Sequence, residues 1–243
     1  GTATVTFTVT STCEPNKTCS ATFTVTTAPS VVITCPANVT ETTCQTQTAI
    51  DSKYAIWLAT ASFSSGCNSA ISNNSSGAPP ACGGVKTVTF TVSSSCEPLK
   101  TCSATFTVTI APSVMITCPS NVTEASCQTQ AVIDAKFATW LATVSFSGGC
   151  NAVLSNNNSG APNACGGITL VDFTVTSSCE APKICTAVFM VTDAPPVVIS
   201  CAANVNEVAC QTQAAIDTKF AAWLSTATFT GGCNGTISNN NTG

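Results

Sequence analysis

Apolar and polar residues alternate strictly along residues 4–12, with Val5, Phe7 and Val9 on one face and threonines on the other. The alternation resumes after Cys19 and continues to Val25. Strict alternation of β-branched and aromatic residues with polar ones is typical of a strand that buries one face. Two such segments on either side of a short polar stretch predict a hairpin, whose apolar side we expect to face a core.

The apolar spacing lengthens to a helical period at residues 50–61, where Ile50, Tyr54, Trp57 and Leu58 fall on one face of a short helix. The same face recurs twice, as Ile133, Phe137, Trp140 and Leu141, and as Ile216, Phe220, Trp223 and Leu224. Large apolar residues at helical spacing usually face a core, so we predict core positions for Trp57, Trp140 and Trp223. Asp51 and Lys53 lie off this face and are expected to be solvated.

Short alternating segments flank each predicted helix. Residues 31–33 and 62–64 predict further strands, and runs of Asn, Ser and Gly at 73–77 and 156–160 predict turns. We therefore expect a mainly β protein built of immunoglobulin-like β-sandwiches, each with one short helix as an insertion. The predicted strands are too few for a complete immunoglobulin domain, which leaves the topology open.

The whole pattern repeats every 83 residues without insertion or deletion, and the cysteines show this best. The copies are Cys13, Cys19, Cys35, Cys44, Cys67 and Cys82; Cys96, Cys102, Cys118, Cys127, Cys150 and Cys165; and Cys179, Cys185, Cys201, Cys210 and Cys233. A fixed period indicates one supersecondary unit copied in tandem. The odd total of 17 cysteines follows, because the third copy lacks its sixth.

The predicted module boundaries lie at Ala-Pro junctions, since proline restricts its own backbone and that of the residue before it. The resulting segments are 1–27, the C-terminal hairpin of a preceding repeat; 28–110 and 111–193, two complete repeats; and 194–243, the N-terminal part of a further repeat. We expect a window on one longer tandem polypeptide. The alternative is a separate subunit whose residues 194–243 are completed by residues 1–27 of the next copy.

Cysteines at this density and fixed spacing predict a disulfide framework, and hence export to an oxidising compartment. Zinc is the rival, but C-x₂-C pairs are absent. If Cys13 faces Cys19 across the hairpin, Val9 faces Phe23, so bridges are predicted between Cys13 and Cys19, Cys96 and Cys102, and Cys179 and Cys185. Local pairing is preferred for the rest, namely Cys35 with Cys44 and Cys67 with Cys82, with the equivalent pairs of Cys118, Cys127, Cys150, Cys165, Cys201 and Cys210. Cys233 is then expected to be unpaired within these residues.

The scarcity of charge excludes several function classes. The chain has seven lysines, eleven carboxylates and no histidine, and its net charge is −4. Without a basic surface we expect no nucleic-acid partner, and without histidine we expect no catalytic residues, no metal site and no cofactor. No stretch approaches the roughly 20 apolar residues of a membrane span. The threonine faces of the hairpins suggest an alternative role in binding glycans or ice, although Asp172 and Met190 interrupt that face.

One resemblance to a known family is carried by these motifs. The run Ile-Thr-Cys-Pro-Ala-Asn-Val-Thr at 33–40 resembles the opening of HYR-type (hyaline repeat) modules, which are immunoglobulin-like. The longer signature at 127–158 and 210–241, from Cys-Gln-Thr-Gln through Phe-Ala-x-Trp-Leu and Gly-Gly-Cys-Asn to Asn-Asn-Asn, is similar to cysteine-rich HYR-like repeats of very large Bacteroidota surface proteins. Some of those proteins are adhesins linked to gliding motility and to type IX secretion. The first copy departs slightly, with Tyr54 for phenylalanine and Ser65 for glycine.

The resemblance implies an extracellular location on the cell surface and supplies no catalytic residues. We therefore expect a disulfide-stabilised structural repeat region of a surface stalk or filament, which gives an adhesin mechanical reach and attachment. The expected partners are neighbouring repeats or further copies of the chain, with surface glycans as the alternative.

Overall fold

The computed structural model describes residues 1–242, so Gly243, the last residue of the predicted incomplete repeat, lies outside the described residues. The chain is mainly β and divides into two compact units, Gly1–Ala111 and a second that begins at Pro112. This division falls one residue from the predicted boundary between residues 110 and 111. Within residues 1–242, no helix is long and apolar enough to cross a membrane.

The first unit contains β1 (Thr2–Val9), β2 (Lys17–Thr24), β3 (Val32–Thr34), β4 (Val39–Glu41), α1 (Gln47–Leu58), β5 (Ser62–Ser64), β6 (Ala70–Asn73), β7 (Gly84–Ser93) and β8 (Lys100–Val108). The second contains β9 (Met115–Thr117), β10 (Val122–Glu124), α2 (Gln130–Leu141), β11 (Ser145–Ser147), β12 (Val153–Asn156), β13 (Gly167–Thr176), β14 (Lys183–Val191), β15 (Val198–Ser200), α3 (Gln213–Leu224) and β16 (Thr228–Thr230).

Each unit has one four-stranded sheet, with the order β4-β8-β7-β6 in the first and β10-β14-β13-β12 in the second. The long hairpins β7–β8 and β13–β14 form the two central strands of these sheets. The flanking strands β4 and β10 run parallel to β8 and β14, whereas β6 and β12 run antiparallel to β7 and β13. The short strands pair separately, as β3 with β5, β9 with β11, and β15 with β16.

The helix α1 packs on the sheet and forms part of the core. It begins after Thr46, whose hydroxyl accepts a hydrogen bond from the amide of Ala49 at 3.2 Å, as a helix N-cap does. Its buried residues are Ile50, Tyr54 and Trp57, which all lie on the predicted apolar face. The sequence predicts the helix as an insertion into a sandwich; in the structure the helix, together with β3, covers the apolar face of the four-stranded sheet.

Aromatic residues join the helix to the hairpin in both cores. Trp57 lies 5.5 Å from Phe106 and 6.2 Å from Phe90, measured between ring centroids. In the second unit Trp140 lies 5.5 Å from Phe189 in the same edge-to-face arrangement. Trp57 and Trp140 are both 5% exposed, whereas Trp223 is half-buried.

The register of the first hairpin differs from the predicted one. Phe7 lies opposite Cys19, and Val9 lies opposite Lys17 rather than Phe23. Residues 10–16 form the connection, so Cys13 lies at the centre of the loop and does not face Cys19. The predicted apolar and threonine faces nevertheless hold, because this shift is an even number of residues and the side-chain period of a strand is two.

Candidate functional site: disulfide framework and strand faces

One disulfide joins residues near the two ends of each complete module. Cys35 directly follows β3 and bonds to Cys102 in β8, with a sequence separation of 67 and a Cα–Cα distance of 5.9 Å. The equivalent bond in the second unit joins Cys118 to Cys185, with the same separation and the same Cα–Cα distance. Chain segments far apart in sequence are thus tied across the core.

A second disulfide fixes the loop between β7 and β8. Cys67 bonds to Cys96, and the carbonyl of Cys67 accepts a hydrogen bond from the amide of Ser95 at 3.0 Å. Nearby, the carboxylate of Glu97 accepts a hydrogen bond from the amide of Val31. The end of the hairpin is therefore held to the start of its module by both covalent and polar contacts.

A third kind of bond links two repeats within the second unit. Cys127 bonds to Cys233, with a sequence separation of 106. This bond fastens residues 194–242 to the module that precedes them. Cys44, Cys82, Cys150 and Cys179 are disulfide-bonded as well.

The structure corrects the predicted pairing in every copy. The hairpin bridges are wrong, because Cys102 bonds to Cys35 and Cys185 to Cys118, while Cys13 and Cys19 are free. The local pairs are wrong as well, since Cys67 bonds to Cys96, Cys127 bonds to Cys233, and Cys165, Cys201 and Cys210 are free. Cys233, predicted to be unpaired, has a partner. The predicted pairs were chosen because their cysteines are close in sequence. The actual pairs are decided by the packing of β3 and the hairpin around one core, which brings distant cysteines together.

A polar cluster that sequence reasoning missed ties strand β4 to helix α1. The Lys53 ammonium donates to Glu41 Oε2 at 2.6 Å and to Gln45 Oε1 at 2.8 Å. The counterparts Glu124 and Lys136 make the same contact at 2.5 Å. Lys53, predicted to be merely solvated, is therefore an ion-pair partner, and the fixed spacing of 12 residues from Glu41 in each copy was the signal for it.

These contacts change the acidity of the glutamates. The hydrogen bond from Lys53 holds the pKa of the Glu41 carboxyl below its usual value, Gln45 adds to this, and partial burial opposes it. The pKa of Glu124 is lowered in the same way, chiefly by the hydrogen bond from Lys136. A carboxyl whose pKa is lower in the folded state stabilises the fold above its unfolded pKa, about 4.3 for glutamate. That contribution is lost as the pH falls through the folded pKa.

We expect acid to destabilise the native chain more steeply than the double variant Lys53→Met/Lys136→Met. The variant lacks the ammonium groups that lower both glutamate pKa values, so its melting temperature should fall less as the pH drops from about 5 into the acid range. Thermal unfolding followed by circular dichroism across this range makes the test. Lys86→Met is the matched control, because the Lys86 ammonium donates to the Ser76 hydroxyl at 3.3 Å and pairs with no carboxylate among residues 1–242. If the melting temperatures of the native chain and the double variant fell equally with pH, the two lysines would not be the cause of the lowered glutamate pKa values.

The threonine faces lie on the side of each hairpin away from the core. Their hydroxyls pair across the strands, as Thr6 does with Ser20 at 2.8 Å and Thr89 with Ser103 at 2.9 Å. In the second unit Asp172 occupies the position of Thr89, and its carboxylate accepts from Thr186 at 2.5 Å. Leu170, 61% exposed, also interrupts the hydroxyl array there.

Among residues 1–242, no three metal-ligating side chains of His, Cys, Asp or Glu lie together in a way that could hold a metal ion.

No protein-family model matches the chain, and no curated protein is similar to it in sequence. A similar solved structure is PcdhgB3 EC1-4 in 50 mM HEPES, which is 8% identical with a TM-score of 0.30. The match covers 83% of this chain and 61% of that chain, and likeness this low carries no functional argument.

Proposed function

We propose that this chain is a structural repeat region of an extracellular surface stalk or filament, in which tandem 83-residue immunoglobulin-like modules give mechanical reach to an adhesin. Twelve cysteines are disulfide-bonded, which supports an oxidising, extracellular location. The extension to gliding-motility adhesins exported by type IX secretion depends on the resemblance to HYR-like repeats alone.

The observation that carries the proposal is the bond between Cys35 and Cys102. Because it joins residues near both ends of the module, a pulling force passes through the disulfide rather than through the chain it encloses. In residues 28–110 only about 15 residues lie outside the closed loop, so an unfolded module can lengthen by at most about 50 Å at 3.3–3.6 Å per residue. Without the bond, the same module would extend to about 280 Å.

Single-molecule force spectroscopy on the full chain tests this role. Under oxidising conditions the two complete modules should give only short length increments. After reduction each increment should grow by about 230 Å, the length of the 67 residues released. Increments of equal length before and after reduction would show that the disulfides do not limit extension, and the mechanical proposal would fail.

The alternative function is recognition of glycans or ice by the threonine faces, which the open outer side of the hairpins supports. It predicts that Thr89→Lys and Thr91→Lys abolish retention on a glycan array, or ice recrystallisation inhibition, without lowering the melting temperature. Because Leu170 and Asp172 break the array and the hydroxyls pair with one another, we favour the structural role.

A further inference from the structure

The beginning of the first complete module lies in parallel beside its last strand. Residues 31–43 follow residues 97–109, and within them β4 pairs with β8 from Val39 to Glu41. Three further contacts keep the same order, each between residues 66 or 67 apart: the Cys35–Cys102 disulfide, the hydrogen bond from the Thr105 amide to Asn38 Oδ1 at 2.9 Å, and the hydrogen bond from the Thr43 amide to the Thr109 hydroxyl at 2.9 Å. The two segments therefore stay side by side from Cys35 to Thr43.

The second complete module repeats this arrangement. Strand β10 pairs with β14 in parallel, with Val122 beside Phe189 and Glu124 beside Val191. The three further contacts recur with the same separations: the Cys118–Cys185 disulfide, the hydrogen bond from the Val188 amide to Asn121 Oδ1 at 3.0 Å, and the hydrogen bond from the Ser126 amide to the Thr192 hydroxyl at 3.0 Å. The parallel contact is thus a property of the module and not of one copy.

The chain enters and leaves the first module at opposite ends of β8. The amide of Val31 donates to the carboxylate of Glu97, which lies in the loop just before β8. The amide of Thr109, the residue after β8, donates to the carbonyl of Glu41 at 2.9 Å. The nine residues of β8, about 30 Å long, lie between these two positions. A pull on the two ends of the module therefore acts along β8 and not across the sheet.

With the Cys35–Cys102 disulfide intact, the covalent path between these ends is already extended. It follows β3 to Cys35, crosses the disulfide, and continues from Cys102 along β8. A strand rises about 3.3 Å per residue and a fully extended chain at most about 3.6 Å, so this path can lengthen by only about a tenth. The strands β4 to β7 and the helix α1 lie inside the loop that the disulfide closes, so they are not on the path.

Without the disulfide, the load falls on the pairing of β4 with β8. The pull draws β4 toward one end of the module and β8 toward the other, along the strand axes. Hydrogen bonds between parallel strands are evenly spaced, so this sliding loads them together rather than one after another. The side chain of Asn38 adds one bond to this set, and the ion pair of Glu41 with Lys53 fastens β4 to α1. Strand β4 is therefore held by the last strand and by the helix.

We propose that residues 28–110 carry tension along this one line, through β3, the Cys35–Cys102 disulfide and β8, and that β4 is a shear clamp that holds β8 when the disulfide is reduced. The proposal rests on the proposed mechanical function and specifies which residues perform it. In the oxidised state the core stays folded under load, because neither α1 nor β7 is on the path. A reduced module resists the load until the clamp breaks, and then it unfolds.

Pulling on this one module within the full chain tests the path. An azide-bearing residue replaces Ser30 and another replaces Ile110, both at exposed positions, so that two linkers apply the load across residues 30–110 alone. Cys35→Ala/Cys102→Ala, made in the same background, removes the disulfide. The native module should show no unfolding step at forces that unfold this variant. If the variant does not fold, dithiothreitol added to the native module held at constant force breaks the disulfide instead.

The clamp is tested with two asparagines that make the same kind of bond. Asn38 Oδ1 accepts from the amide of Thr105 in β8, and Asn74 Oδ1 accepts from the amide of Thr89 in β7, both at 2.9 Å. In the module without the Cys35–Cys102 disulfide, Asn38→Ala should raise the unfolding rate at constant force about fivefold, the usual net effect of one hydrogen bond. Asn74→Ala should leave that rate unchanged, because its bond lies outside the contact of β4 with β8. Without load, both substitutions should weaken the hydrogen-exchange protection of the sheet by a similar factor, since each removes one bond.

Two results would overturn the proposal. An unfolding step in the oxidised native module at the force that unfolds Cys35→Ala/Cys102→Ala would show that tension does not follow the proposed line. Equal acceleration by Asn38→Ala and Asn74→Ala under load would show that β4 is not the clamp, because exchange protection already measures any general loss of stability. Neither result would remove the limit on extension set by the closed loop, so a failure of this proposal is distinguishable from a failure of the mechanical role.

Discussion

Replacing Cys35 and Cys102 together by alanine should destabilise residues 28–110 by about 4 kcal/mol. The bond closes a loop of 67 residues, and the loss of chain entropy in the unfolded state grows with the logarithm of loop length. The measurement is the free energy of opening of the amides in β7 and β8, obtained by hydrogen exchange with mass spectrometry under oxidising conditions. This readout is specific to one module, which matters because the chain has two compact units and need not unfold in one step.

The matched control is Cys13→Ala/Cys19→Ala, which removes the two cysteines of the β1–β2 hairpin, the counterparts of Cys96 and Cys102. Both are free thiols, so the amides of residues 28–110 should exchange as in the native chain. A loss below about 1 kcal/mol for Cys35→Ala/Cys102→Ala would contradict the assigned bond, since disulfides that close long loops typically contribute 2–4 kcal/mol.

Replacing Phe106 by alanine should cost about 3–5 kcal/mol in the same module, the usual range for truncating a fully buried phenylalanine. Phe106 is 1% exposed, and its ring lies 5.3 Å from Tyr54 and 5.5 Å from Trp57 in edge-to-face geometry. The substitution leaves a cavity between β8 and α1 and removes both aromatic contacts. Hydrogen exchange of the α1 amides measures the resulting decrease in the free energy of opening.

Phe23→Ala is the internal control, because Phe23 occupies the same position in the β1–β2 hairpin but is 73% exposed. It should leave the exchange of residues 28–110 unchanged, within the ±0.5 kcal/mol typical of surface substitutions. Equal effects of Phe106→Ala and Phe23→Ala on hydrogen exchange in residues 28–110 would contradict the assignment of Phe106 as buried and Phe23 as exposed.

The candidate site could be predicted only in part. The sequence identified the cysteines as a bonded framework, but spacing along the chain selected partners such as Cys96 for Cys102. The true partner of Cys102, Cys35, lies 67 residues away and meets it only when β3 packs against the hairpin. The ion pair of Glu41 with Lys53 was missed for a related reason, because the recurring spacing of 12 residues marks the two side chains but does not show that β4 and α1, which are separate elements, meet.

The sequence by itself determined the faces of the elements. Alternation at Phe7 and Val9 and helical spacing at Ile50, Tyr54 and Trp57 each specify a buried side, because side-chain direction follows from backbone geometry alone. Tertiary structure decided the hairpin register, the disulfide partners and the place of the helix opposite the sheet. These features depend on which faces meet across the core. An apolar face can be buried against any of several apolar partners, and the packing of side chains selects one of them. Val88, Phe90 and Phe106 are 1% exposed beneath α1, whereas the identical residue types at Val5, Phe7 and Phe23 are 50–73% exposed, so the residue pattern alone does not decide burial.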